Sequence, residues 1–133
     1  MTTPQSPVWP HRGADHAIDG RLMERLAVAM SMVDEHAVRQ LLRPDAVLIV
    51  DSGGLAPSPS TPARGRSAAA SRLTALVAPE TAVAMASING MPGLVLSRGE
   101  VVVAAVTTEV RAGLLSTVWV VCNPEKLRHW NAG

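Results

Sequence analysis

Between residues 81 and 121 the chain alternates four apolar segments, TAVAMASI, GLVLS, VVVAAVTTEV and LLSTVWVV, with short turn signals at Asn89-Gly90, Arg98-Gly99 and Ala112-Gly113. Dipeptides of this kind between β-rich runs are hairpin signals, because Gly and Asn accept the positive φ that a tight hairpin turn needs. Four strands in series is therefore the expectation for this half. The half before it reads differently. Ile18, Leu22, Leu26 and Met30 recur every four residues and predict a helix from about Asp15. Asp34 is a candidate N-cap for a second short helix that buries Ala37, Val38, Leu41 and Leu42 and stops near Arg43-Pro44. AVLIVD, at 46–51, reads as a strand, and SGGLAPSPSTPARG after it, with three prolines and three glycines, as a loop. A third helix is expected from residues 65–67 through about Val77, with Ala70, Leu73, Leu76 and Val77 as its apolar stripe. Three helices and an early strand, followed by hairpin-linked strands, is an α+β order: a curled antiparallel sheet over helices.

At 133 residues this is one domain by length, with enough chain to bury a core without disulfides or metals. The first 12 residues, with three prolines and no apolar period, are expected to form a flexible tail; residues 13–133 form the domain. The tail lacks the charged and apolar regions of a signal peptide, and the longest apolar run, residues 101–106, is far short of a bilayer span. With a single cysteine, Cys122, these features lead to the expectation of a cytoplasmic protein with no membrane association. A net charge of +1, and no Phe or Tyr beside Arg64, Arg66 and Arg72 to stack on bases, argue against direct nucleic-acid binding. Eleven arginines to one lysine, with abundant Ala, Gly and Pro, follow GC-rich codons and suggest a GC-rich bacterial source.

The last two strands are apolar on both faces, whereas an antiparallel sheet with one wet face should alternate. A cover for the second face is therefore expected, with a homodimer through the outer sheet face as the leading form. Trp119 is either the anchor of that contact or a core residue.

Few residues suggest chemistry. There is no nucleophile elbow, phosphate-binding loop, zinc-protease signature or cysteine pair, and nothing calls for a cofactor or metal. The neighbours Asp34, Glu35 and His36 point in different directions on a helix, and His11, His16 and His129 lie near the ends. Cys122 reads as a small hydrophobe. Asp51 is the candidate catalytic group. If Val47 and Ile49 face the interior, a period of two turns Asp51 inward too, where desolvation would suit it to acid/base work. The other reading is a turn cap accepting from the Gly53 and Gly54 amides. A pocket behind Asp51 would be lined by Ile49, Met23, Met30 and Met85, with Val106 and Thr108 from the later strands. Ser87, Thr108 or an arginine could supply a second polar group.

LLRPDAVLIVDSGG, GRSAAASRL, INGMPGLVL and VVCNPEKL occur in an order that resembles a SnoaL-like domain, of the cone-shaped nuclear transport factor 2-like fold. More narrowly, they resemble the C-terminal extension of a group of extracytoplasmic-function sigma factors, over roughly residues 18–129. That extension carries an Asp-Gly-Gly-Gly motif and an Asn-Pro-Asp-Lys-Leu motif, here Asp51-Ser52-Gly53-Gly54 and Asn123-Pro124-Glu125-Lys126-Leu127. The resemblance implies three N-terminal helices on a curved antiparallel sheet enclosing a pocket. It also implies a non-catalytic regulatory or small-molecule-binding role, with an apolar ligand, or contact with a sigma factor or RNA polymerase through Asn123, Pro124 and Lys126. The sigma regions that bind DNA have no counterpart in these 133 residues, so a free-standing copy is expected; Ser52 and Leu55 depart from the motif. The wider fold includes isomerases, hydrolases and cyclases, and PDAVLIVD resembles the isomerase strand that ends in a general base. An enzyme of that kind using Asp51 is the alternative. The isomerase's Tyr is absent, and Val106 lies where its second Asp would.

Overall fold

The structure is a computed structural model and describes residues 14–51, 62–123 and 125–128, with side chains from Gly20 onward. The expected tail, the Gly53 and Gly54 turn amides, Pro124, His11, His129 and the side chain of His16 lie outside the described residues.

Helix α1 spans Ala14–Ser31 and buries Leu22, Leu26 and Met30 of the expected stripe, with Met23 beside them; the Ile18 side chain lies outside the described residues. Its end is a Schellman motif: the Val33 amide donates to the Met30 carbonyl and the Asp34 amide to the Ala29 carbonyl, both at 2.9 Å. The residue in the left-handed position is Val33, at φ 52°, where glycine is usual. Asp34 then opens α2, Glu35–Gln40, its Oδ1 accepting from the Ala37 amide at 3.1 Å. One residue thus ends one helix and caps the next.

Helix α2 stops earlier than expected. Leu41 is its C-cap, and β1 begins at Leu42 and runs to Asp51, so Pro44 lies inside the strand. It is tolerated there because the register shifts between Leu42 and Val47, as at a bulge. The stretch expected to be all loop contains a two-residue strand, β2, Ala63–Arg64, antiparallel to Val47 and Leu48 of β1. The Gly65 amide, donating to the Ala46 carbonyl at 2.7 Å, leads from it into α3, Arg66–Ala75, which buries Ala69, Ala70 and Leu73.

The remaining strands are β3 (Thr81–Ile88), β4 (Met91–Arg98), β5 (Val101–Arg111) and β6 (Leu114–Val121), linked by hairpins as the turns predicted. Asn89-Gly90 and Ala112-Gly113 have positive φ at both positions, the type I′ signature. The middle turn is Gly99-Glu100, since Arg98 pairs with Val101.

The sheet order is β2-β1-β6-β5-β4-β3. It departs from the all-antiparallel expectation at one place: β1 and β6 are parallel, with Leu48 beside Val118, Ile49 beside Trp119 and Asp51 beside Val121. Leu48, Val118, Val120, Val106, Leu94 and Leu96 share one core with the helices. Lateral neighbours share a face, so Val47, Ile49 and Asp51 belong with Trp119 on the side away from the helices. The inward direction expected for these three is corrected here: Ala46, Leu48 and Val50 take it.

Val33 is 54% exposed, so replacing it loses little burial. A left-handed conformation costs a branched residue roughly 1–2 kcal/mol, partly offset by the unfolded-state freedom that glycine adds. Val33→Gly is expected to raise the melting temperature by roughly 2–4 °C; an unchanged or lower value in a thermal scan would contradict the strain.

Candidate functional site

The site lies where β1 and β6 end side by side. The Cys122 amide donates to the Asp51 carbonyl at 2.8 Å, extending the parallel pairing one residue past β6. Asn123 then folds the chain back. Its side-chain oxygen accepts from the Glu125 amide at 3.0 Å, and its carbonyl from the Lys126 and Leu127 amides at 3.0 and 3.1 Å. This turn delivers Lys126, the only lysine, to Asp51: Nζ to Oδ2 is 2.6 Å. The two segments that the sequence presents 75 residues apart are one ion pair at one end of the sheet.

Leu127, 3% exposed, anchors the turn. The ion pair is more open, with Lys126 62% and Asp51 36% exposed, so its stabilisation is of order 0–1 kcal/mol. The Glu125–Arg128 pair at 2.9 Å is more exposed still. The Cys122 thiol is pushed up from its ordinary value, first by burial and second by the negative charge of Asp51, so it is no activated nucleophile.

The other residues singled out from the sequence divide between the two faces. Met23, Met30 and Val106 are fully buried in the helix–sheet core, and the Thr108 hydroxyl donates to the Met23 sulfur at 3.3 Å. Met85 is 45% exposed, and Ser87 is exposed. Ile49 and Asp51 are on the opposite face from that core group, so the seven residues expected to line one pocket are not brought together. Trp119, 38% exposed, stands beside Ile49 and Thr107 on the outer face, which removes the reading of it as plain core. His36 lies on the surface near Arg39. No three His, Cys, Asp or Glu side chains converge among the described residues. What sequence reasoning missed is the Lys126–Asp51 contact and the anchoring by Leu127. The available signal was an isolated lysine just after a strand-ending Asn-Pro.

No family model matches the chain, and no curated protein matches it. Solved structures do. The crystal structure of the Mycobacterium tuberculosis extracytoplasmic function sigma factor SigJ matches with a TM-score of 0.65 and 26% identity, over 83% of this chain and 44% of that one. A Mesorhizobium loti NTF2-like protein of unknown function matches with a TM-score of 0.61 and 15% identity, over 84% and 95% of the two chains. The chain has the nuclear transport factor 2-like, or SnoaL-like, fold. An epoxide hydrolase of M. tuberculosis shares this NTF2-like fold at a TM-score of 0.52 and 16% identity, over 86% and 89% of the chains. This chain thus spans under half of the sigma factor and most of the other two. No helix of its described residues is long and apolar enough to cross a membrane.

The contrast between anchor and ion pair is measurable by urea denaturation. Leu127→Ala is expected to lower stability by about 2–4 kcal/mol, as for a buried leucine, and Lys126→Ala by less than about 1 kcal/mol. Equal losses would contradict the division of labour.

Proposed function

We propose that this chain is a non-catalytic regulatory module, related to the sigma-factor extension, that contacts the transcription machinery through the turn at residues 123–128. The observation that carries the reading is the 2.6 Å contact between Lys126 and Asp51. It joins the two motifs by which the sequence resembles that extension, and the likeness to SigJ supports it. The turn presents a mixed surface: Glu125, Lys126 and Arg128 are exposed and Asn123 is half-buried, while Leu127 holds the backbone in place. Charged groups held in a fixed geometry at a surface favour selective, salt-sensitive protein contact over tight hydrophobic association.

The two other readings are less well supported. A general base of the isomerase kind needs its carboxylate in a desolvated interior. Asp51 lies on the other face and is paired with a cation. Similarity to a hydrolase at 16% identity carries fold alone. For an apolar small-molecule ligand between helices and sheet, the side chains expected to line the space, Met23, Met30 and Val106, are packed with Leu26, Leu94 and Leu96 in one core.

The test is biolayer interferometry of the full chain against purified RNA polymerase core and separate sigma subunits from a GC-rich bacterium. Binding to one of them is expected, weakened about tenfold or more by Lys126→Glu, the equivalent of about 1.4 kcal/mol. Absence of binding at concentrations on the order of 10 µM, or binding indifferent to Lys126→Glu, would contradict the proposal.

A further inference from the structure

The two edges of the sheet differ. At one, β2 is two residues long. At the other, β3 presents eight residues, Thr81–Ile88, in unbroken register with β4. A long edge strand is a template for further pairing, and charges, proline or a bulge ordinarily blunt it. TAVAMASI has no charge and no proline, and its ladder has no bulge. The direction of its backbone groups follows from the hairpin. Ile88 and Met91 close a two-residue turn and exchange hydrogen bonds, and alternation repeats this at Ala86–Gly93, Ala84–Val95 and Ala82–Ser97. The N–H and C=O of Thr81, Val83, Met85 and Ser87 therefore point to the open edge. Two observations agree with this. Ser87 stands opposite Pro92, which has no N–H to give, and the Thr81 amide donates to the Ala78 carbonyl at 2.9 Å. Among the described residues, no helix or loop bonds the edge-facing groups of Val83, Met85 and Ser87.

We infer that this edge is a strand-addition site, occupied by β3 of a second copy running antiparallel, about a two-fold axis perpendicular to the sheet at Met85. The open positions are symmetric about Met85, so each meets another open position. Met85 faces Met85, and Val83 faces Ser87 twice, each pair placed to exchange both N–H···O bonds. Between them Ala84 faces Ala86. No like charges meet, since Glu80, the charge next to the strand, falls opposite Gly90. The side chains favour the same pairing. Met85 ends a row that runs through Leu94, Val106 and Val120 on the helix side of the sheet. Those three are fully buried, while Met85 is exposed. A second Met85 at the axis carries the apolar row from one copy into the other and removes both from water. The edge calls for a neutral strand with three open positions at two-residue spacing, and β3 is itself that strand. The contact leaves the outer face and the turn at residues 123–128 free, and it does not rest on the polymerase reading.

The test is amide hydrogen exchange, read by NMR on the full chain at about 50 µM and about 1 mM. Circular dichroism checks that each variant is folded. The Val83, Met85 and Ser87 amides are expected to exchange about tenfold or more slowly at the higher concentration. Met85→Pro removes one edge donor without touching the ladder to β4, and should abolish this protection at Val83 and Ser87. Because Met85 faces itself, Met85→Lys and Met85→Glu should each lose the protection alone, through like charges at the axis. An equal mixture of the two should regain it to within about threefold of wild type. Exchange independent of concentration would overturn the inference. So would protection that survives in Met85→Lys alone, or a mixture no better protected than its components. Protection that appears only on adding core polymerase or a sigma subunit would assign the edge to another protein, and would overturn it equally.

Discussion

The parallel pairing of β1 with β6 is the interaction on which the rest of the molecule depends. Side chains alternate along a strand, so a slip of one residue would exchange every inward and outward group of β1. The observed register sends Leu48 and Val50 toward the helices beside Val118 and Val120, and sends Ile49 and Asp51 outward beside Trp119 and Val121. The same register brings the end of β1 level with the end of β6, where the Asn123 turn can return Lys126 to Asp51. Core, outer face and candidate site are three consequences of one alignment.

This alignment was the part least legible in the sequence. Hairpins announce themselves locally, because Asn89-Gly90 and Ala112-Gly113 are suited to backbone angles that few other pairs accept. The helices were legible for a similar reason: Leu22, Leu26 and Met30 are regularly spaced, and Asp34 is a strong cap. In β1, by contrast, Val47, Leu48, Ile49 and Val50 are all apolar, so period two cannot say which pair is inside. Its partner on β6 lies 70 residues later, and no local rule identifies a parallel neighbour. Choosing the wrong parity is what turned Asp51 toward a pocket. The short strand β2 was hidden likewise, since only its ladder to Val47 and Leu48 defines it.

The chemistry follows the same geometry. A carboxylate on the interior side would have been a candidate acid or base, whereas on the outer side it meets a lysine and becomes one half of a surface contact. The fold alone does not choose between these roles, for it supports an epoxide hydrolase and a sigma-factor segment alike. The choice rests on Asp51, Lys126 and the buried Leu127 that holds them in register. The polar end of the sheet, with Asp51 and Lys126, and its apolar middle around Ile49 and Trp119 are separate parts of the outer surface.

The direct measurement of this account is a methyl-resolved NOESY spectrum of the full chain with Leu, Ile and Val methyls labelled. The observed register predicts cross-peaks from the Ile49 methyls to the Trp119 indole, and from the Leu48 methyls to Leu73 or Val118. Cross-peaks from Ile49 to Leu73 or Leu26, with none to Trp119, would reverse the parity of β1. Asp51 would then return to the interior, and the account of the site would fall with it.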